Sequence, residues 1–230
     1  MIQLKQIRAC VFDAYGTLFD FESTVTQCPD VPDDRHAELT SLWRDKQLQY
    51  AWLRTLEGHY VDFWQVTADA LEFALDALGI ATPALHEKLM QFYLRLDAFP
   101  EVPEVLSWLR QSGYKTAILS NGTPTMLDAI VNNAGLANLL DEVMSADAVK
   151  AFKTHPLVYE HCLERLKLQP HQVLFHSSNA WDAFGASAFG MRVVWCNRYG
   201  QRRERLPGNP DFEIKNLAEL PKLLASLRNL

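Results

Sequence analysis

Short runs of consecutive apolar residues, separated by stretches of helical periodicity, organise this chain. Ala9-Cys10-Val11-Phe12 is apolar throughout, stops at Asp13 and is followed by Gly16, the pattern of a strand buried on both faces that runs into a turn. Thr116-Ala117-Ile118-Leu119, Val173-Leu174-Phe175 and Val193-Val194-Trp195 repeat the pattern, and helically spaced residues separate each from the next. Strand and helix in alternation predict an α/β fold, a parallel sheet flanked by helices. Between the first two strands, residues 33–96 show helical spacing only. Leu39, Leu42, Trp43, Lys46 and Tyr50 mark one helix, and Leu71, Phe73, Ala74, Leu75 and Leu78 a second that ends near Gly79. An inserted all-helical cap is expected here, with Pro100 and Pro103 marking the return to the core.

Parallel sheets bind ligands beyond the carboxyl ends of their strands. That rule gathers Asp13-Ala14-Tyr15-Gly16-Thr17, Ser120-Asn121-Gly122-Thr123 and Ser177-Ser178-Asn179-Ala180-Trp181-Asp182 at one end of the sheet. Lys153, just before a helix that begins near Pro156, can reach the same place.

Bulk properties narrow the partners. A chain of 230 residues with 48% hydrophobic and 22% charged residues is long and apolar enough to fold around its own core. A formal charge of −6 gives no footprint for nucleic acid, and Arg198, Arg202, Arg203 and Arg205 are read as a solvated loop. An acidic protein repels anions at long range, so an anion site must be built locally from a few fixed donors. Cys10, Cys28, Cys162 and Cys196 form no C-x-x-C pair, which fits neither zinc binding nor a disulfide framework and points to a reducing cytoplasm. Met1 to Arg8 hold no signal-like run, no stretch reaches a membrane span, and no histidine has metal-ligand spacing.

Phe12-Asp13-Ala14-Tyr15-Gly16-Thr17-Leu18 resembles the nucleophile motif of the haloacid dehalogenase (HAD) superfamily. Leu42-Trp43-Arg44, Leu119-Ser120-Asn121-Gly122, Lys153 and the segment from Ser177 to Asp182 look like the L-2-haloacid dehalogenase branch, and the likeness runs from the first strand through Arg198. Most relatives in the superfamily are magnesium-dependent phosphohydrolases with a second acid two residues after the nucleophile and Gly-Asp in the last motif. Here those positions are Tyr15 and Ser177-Ser178, so neither metal nor cofactor is expected.

The resemblance implies a HAD-like Rossmannoid core, residues 1–20 and 98–230, and a helical cap, residues 21–97. It implies a hydrolase acting on short (S)-2-haloalkanoic acids, with haloacetates including fluoroacetate in its range, that works as a homodimer. Asp13 would attack the halogen-bearing carbon to form an aspartyl ester, with Lys153 keeping it ionised and Asp182 and Ser177 orienting Lys153 or the hydrolytic water. Arg44 and Asn121 would hold the halide, Ser120 the substrate carboxylate, and Tyr15, Leu48, Phe63 and Trp181 an apolar wall. Thr17 and Asn179 would shape the centre. Asp45, Thr154 and His176 depart from the branch pattern, which bears on substrate range and rate. Two other readings stay open at this point: a phosphohydrolase with altered metal ligation, and a binding protein that keeps the fold without catalysis. Taken singly, Asp13 is as readily a helix or turn cap as a nucleophile, and Lys153 would be a surface lysine.

Overall fold

A computed structural model describes residues 6–228. Residues 1–5 and 229–230 of the expected core, and most of the segment judged unlike a signal peptide, lie outside the described residues. In chain order the elements are β1 (Ala9–Phe12), α1 (Ser23–Thr26), α2 (His36–Glu57), α3 (Phe63–Ala77), α4 (Pro83–Tyr93), α5 (Val102–Gln111), β2 (Lys115–Ser120) and α6 (Pro124–Asn133). There follow β3 (Glu142–Ser145), α7 (Pro156–Leu166), β4 (Val173–Ser177), α8 (Ala180–Phe189), β5 (Arg192–Cys196), β6 (Phe212–Ile214) and α9 (Leu220–Arg228). The helices start where the sequence offers caps. Asp62 accepts from Gln65 N, Thr82 from Leu85 N ahead of Pro83, and Thr123 from Met126 N ahead of Pro124.

Among the described residues, six parallel strands form one sheet in the order β3-β2-β1-β4-β5-β6. Successive side chains of a strand face opposite ways, and the central strands divide their apolar residues accordingly. Ala9 and Val11 join Val173, Phe175, Val193 and Trp195 in one core cluster. Cys10 and Phe12 join Leu174 and Val194 in the other. That second cluster continues without a break into Leu39 and Trp43 of α2, Phe63 and Leu71 of α3 and Tyr93 of α4. The inserted helices are therefore held over one end of the molecule by burial shared with the sheet, and Trp43 Nε1 donates to Thr67 O at 2.9 Å to lock α2 on α3.

The strand order reverses direction between β1 and β4, the position at which a doubly wound sheet opens a crevice beyond its carboxyl ends. Asp13 leaves β1 there, and its backbone N–H donates to His176 O of β4 at 2.9 Å.

Three expectations need correction. β3 and β6 carry no apolar run, because edge strands are half-exposed and mix Glu142 or Glu213 with apolar neighbours. Phe73 is exposed on the outside of α3, where the Lys46 ammonium lies 4.2 Å from its ring centroid. Arg198 is not part of a solvated loop: its side chain is only 8% exposed and pairs with Glu101 at 2.6 Å.

His176 is fully buried, stacks on Phe12 with centroids 4.4 Å apart and lies 3.1 Å, through Nδ1, from Val11 O. Burial drives its pKa down from 6.5 to about 4, so the folded protein keeps it neutral while the unfolded chain protonates it. Stability from this residue is complete above pH 6.5 and is lost as pH falls through the window down to about 4. The loss reaches about 3 kcal/mol. His176→Met is expected to flatten that part of the curve, checked by urea unfolding at pH 7 and pH 4.5.

Candidate active site

The turn after β1 folds the chain back on its own carboxylate. Gly16 takes φ +83°, a conformation that side chains resist, and its N–H donates to Phe19 O at 2.8 Å. Thr17 is thereby returned to Asp13, where its hydroxyl donates to Oδ2 at 3.0 Å and accepts from Ser178 N at 2.8 Å. Arg198 secures the same turn from outside, donating to Thr17 O at 2.9 Å while its guanidinium stacks 3.9 Å from the Phe99 ring centroid.

Both Asp13 oxygens are engaged. Lys153 Nζ donates to Oδ1 at 2.9 Å and to Asp182 Oδ2 at 2.8 Å. Asn179 Nδ2 donates to Oδ2 at 2.8 Å and to Tyr15 O at 3.2 Å. Asp13 is 5% exposed, Lys153 1% and Asp182 0%, so this is an ion cluster withdrawn from water. Burial alone would neutralise Lys153, but the adjacent Asp13 and Asp182 charges outweigh it and hold the ammonium above its ordinary pKa. One cation serves two carboxylates, which leaves a surplus of negative charge, and Asp182 is raised by burial and by Asp13 against the pull of Lys153. Tyr159 answers that surplus. Its hydroxyl donates to Asp182 Oδ1 at 2.9 Å, and burial followed by the Asp182 charge keeps the phenol protonated.

Arg44 projects from α2 with NH1 on Gln47 Oε1 at 2.8 Å and NH2 on Asn179 Oδ1 at 3.3 Å. Gln47 is fully buried, and its amide N–H groups donate to Thr67 Oγ1 at 2.7 Å and Tyr93 OH at 3.1 Å. Arg44 thus turns the Asn179 amide so that its N–H groups face Asp13. A cleft of about 580 Å³ lined by Tyr15, Phe21, Arg44, Ser178, Asn179 and Tyr199 opens beside this group.

The remaining expected residues divide. Asn121 Oδ1 accepts from Lys153 N at 2.9 Å, which ties the β2 loop to the lysine segment. Ser120 and Ser177 are fully buried and cap local backbone, accepting from Gly122 N and Asn179 N at 3.2 Å each. Phe63 packs on Tyr15 with centroids 6.2 Å apart, and the buried Tyr15 hydroxyl has no partner in the structure. Leu48 lies half-buried on α2, one turn beyond Arg44. Trp181 sits edge-on to Trp52 at 5.4 Å and lines a separate groove of about 750 Å³ with Trp52, Phe152, Lys153 and Tyr159, away from the cleft that holds Arg44. Sequence reasoning missed Tyr159 and Gln47. A tyrosine one turn into the helix that follows Lys153, and an amide on the apolar stripe of α2 one turn after Trp43, were the available signals.

A buried aspartate whose oxygens meet an ammonium, a hydroxyl and an amide is fixed in the direction from which it can attack. Among the described residues no three His, Cys, Asp or Glu side chains are grouped so as to hold a metal ion.

Residues 7–190 match the family model described as haloacid dehalogenase-like hydrolase. The (S)-2-haloacid dehalogenase of Pseudomonas sp. (strain YL) is 44% identical over 221 residues, 96% of this chain and 95% of that protein. Haloacetate dehalogenase H-2 of Moraxella sp. (strain B) is 40% identical over 96% of this chain and 100% of its own length. The solved L-2-haloacid dehalogenase from Xanthobacter autotrophicus with chloropropionic acid covalently bound superposes with a TM-score of 0.89 at 39% identity, covering 95% of this chain and 98% of that one.

Proposed function

This chain belongs to the haloacid dehalogenase superfamily, in its L-2-haloacid dehalogenase branch, and on that premise we propose that it hydrolyses short (S)-2-haloalkanoic acids to (R)-2-hydroxyalkanoic acids. One observation carries the reading: Lys153 Nζ stands between the Asp13 and Asp182 carboxylates, in a site whose next acidic candidate, two residues past the nucleophile, is Tyr15. That arrangement does not fit magnesium, which needs oxygen ligands where the ammonium stands. It fits a carboxylate directed at carbon. A halide leaves without a proton, so the neutral Tyr15 in place of an acid costs nothing at this step.

In the first step an Asp13 oxygen attacks the halogen-bearing carbon from behind, the carbon–halogen electron pair leaves as halide, and the carbon inverts. Water then adds to the Asp13 carbonyl carbon, the ester oxygen departs with the hydroxy acid, and a proton is released. Arg44 and Asn121 stabilise the departing halide, and Ser120 with the amides near Tyr15 holds the substrate carboxylate. Thr17 and Asn179 orient the nucleophile, Asp182 and Tyr159 hold Lys153, and Tyr15, Leu48 and Phe63 exclude water. Haloacetates fall in the same range, because attack needs only an accessible carbon bearing the halogen.

We assign residues 21–97 to a cap that supplies Arg44 and residues 1–20 and 98–230 to the core that supplies Asp13. A homodimer is supported by exposed Trp52, Leu56 and Leu206 around one apolar groove. A cytoplasmic setting is supported by four cysteines that are all buried and free.

The test is a single turnover of L-2-chloropropionate in heavy-oxygen water. The expected result is chloride release, D-lactate free of label in the first turnover, and label in the Asp13 side chain. Label in the lactate instead would replace the ester route by direct water attack. Turnover of p-nitrophenyl phosphate that EDTA abolishes, with no halide released, would install the phosphohydrolase reading.

A further inference from the structure

The backbone of the lysine segment is gripped by a helix that belongs to the insertion. Trp52 Nε1 on α2 donates to Lys153 O at 3.1 Å. One turn on, the Thr55 hydroxyl donates to Ala51 O at 2.9 Å and accepts from Phe152 N at 3.2 Å. From the core side, Asn121 takes the Lys153 N–H at 2.9 Å. Residues 152 and 153 are therefore clamped between the sheet and α2 at three backbone atoms.

The same helix holds Arg44 eight residues earlier, about 12 Å along its axis. Arg44 reaches Asn179 and through it Asp13 Oδ2, while Trp52 reaches Lys153 and through it Asp13 Oδ1. Both oxygens of the nucleophile are thus referred to one rigid element. A lysine side chain has four rotatable bonds, so the height of its ammonium is defined only if its backbone is defined. Trp52 is 37% exposed yet directs its one polar atom at that backbone, a use that packing alone does not require.

We propose that Trp52, assisted by Thr55, is a positioning residue that sets where Lys153 meets Asp13 and Asp182, so that the seating of α2 and the ion pairing of the nucleophile operate as one unit. It touches neither substrate nor reacting atoms, and the proposal rests on the reading of Lys153 given above.

The test compares Trp52→Phe, which keeps the ring and removes the N–H, with Thr55→Val, which keeps the shape and removes the hydroxyl, in the full chain. Leu53→Ala, an exposed neighbour on the same helix, is the control. The expected result is a kcat about 5- to 20-fold lower in Trp52→Phe, smaller in Thr55→Val and compounded in the double variant, with KM within about twofold. The alkaline limb of the kcat profile should also move to lower pH, because an ammonium less well enclosed by its carboxylates gives up its proton sooner. Leu53→Ala should match the native enzyme. Unchanged kcat and alkaline limb in Trp52→Phe would overturn the proposal, and so would a rate lost only in proportion to a lower melting temperature with the limb unmoved. If Trp52→Phe fails to fold, the limb in Thr55→Val decides by the same criterion. Full activity in Lys153→Met would sink the underlying reading and this inference with it. Native activity that depends on Lys153, with both α2 variants unaffected, would sink the inference alone.

Discussion

Asp13→Asn is expected to lose halide release by a factor of about 10⁴ or more, with the fold retained. The amide has no charge with which to displace halide, and no neighbouring group stands ready to replace it: Asp182 is committed to Lys153 and Tyr159. The structural cost is limited because Lys153 keeps one carboxylate partner. One mismatch remains, since the new amide N–H group would face the Thr17 and Asn179 donors that now serve Oδ2, at a cost of about 1–3 kcal/mol. Halide assays and thermal melts on the same preparation check both halves. Residual turnover within about tenfold of native would remove Asp13 from the chemistry.

Lys153→Met carries the second large effect and strikes stability as well as rate. Without the ammonium, two carboxylates share a buried pocket with no cation between them, and the loss is about 3–5 kcal/mol. For a chain of this size that corresponds to a fall in Tm of the order of 10 °C. The sign with pH follows from which carboxyl takes up a proton. Burial and the facing charge raise at least one of the two above its unfolded value, so the folded state of the variant binds a proton that the unfolded chain releases. The stability deficit of the variant relative to the native protein is therefore smaller at pH 5 than at pH 7, since buried His176 acts alike in both and cancels in the comparison. Adding Asp182→Asn should recover most of the lost Tm and none of the activity. Recovery of activity would mean that Lys153 served only to neutralise Asp182.

The native enzyme supplies the complementary sign. Lys153 is held above its ordinary pKa, so its contribution to stability is whole below the usual lysine range and is lost only as pH rises through the higher folded value.

Much of this was legible in the linear chain because it is written locally. A strand buried on both faces needs an uninterrupted apolar run, and β1, β2, β4 and β5 have one, whereas the edge strands β3 and β6 escaped because half-exposed strands carry no such mark. The nucleophile was legible because a strand end, a glycine turn and a threonine occur within a few residues. Lys153 was legible only through family likeness, since one lysine looks like any other until its partners are known. Arg198, one of four arginines in a polar stretch, was misread for the same reason: nothing near it in sequence announces Glu101 and Phe99.

The order of elements, the position of Asp13 at the end of a buried strand and the absence of a second acid at Tyr15 were settled by the amino-acid sequence itself, because each depends on residues a few places apart. The sharing of one ammonium by Asp13 and Asp182, the Tyr159 bond that steadies it, the relay from Gln47 through Arg44 to Asn179 and the hold of Trp52 on Lys153 were decided by the tertiary structure alone. Each joins groups that lie on different elements. Their energies depend on burial and on distances of about 3 Å, quantities that exist only once the sheet and the helices above it have closed on one another.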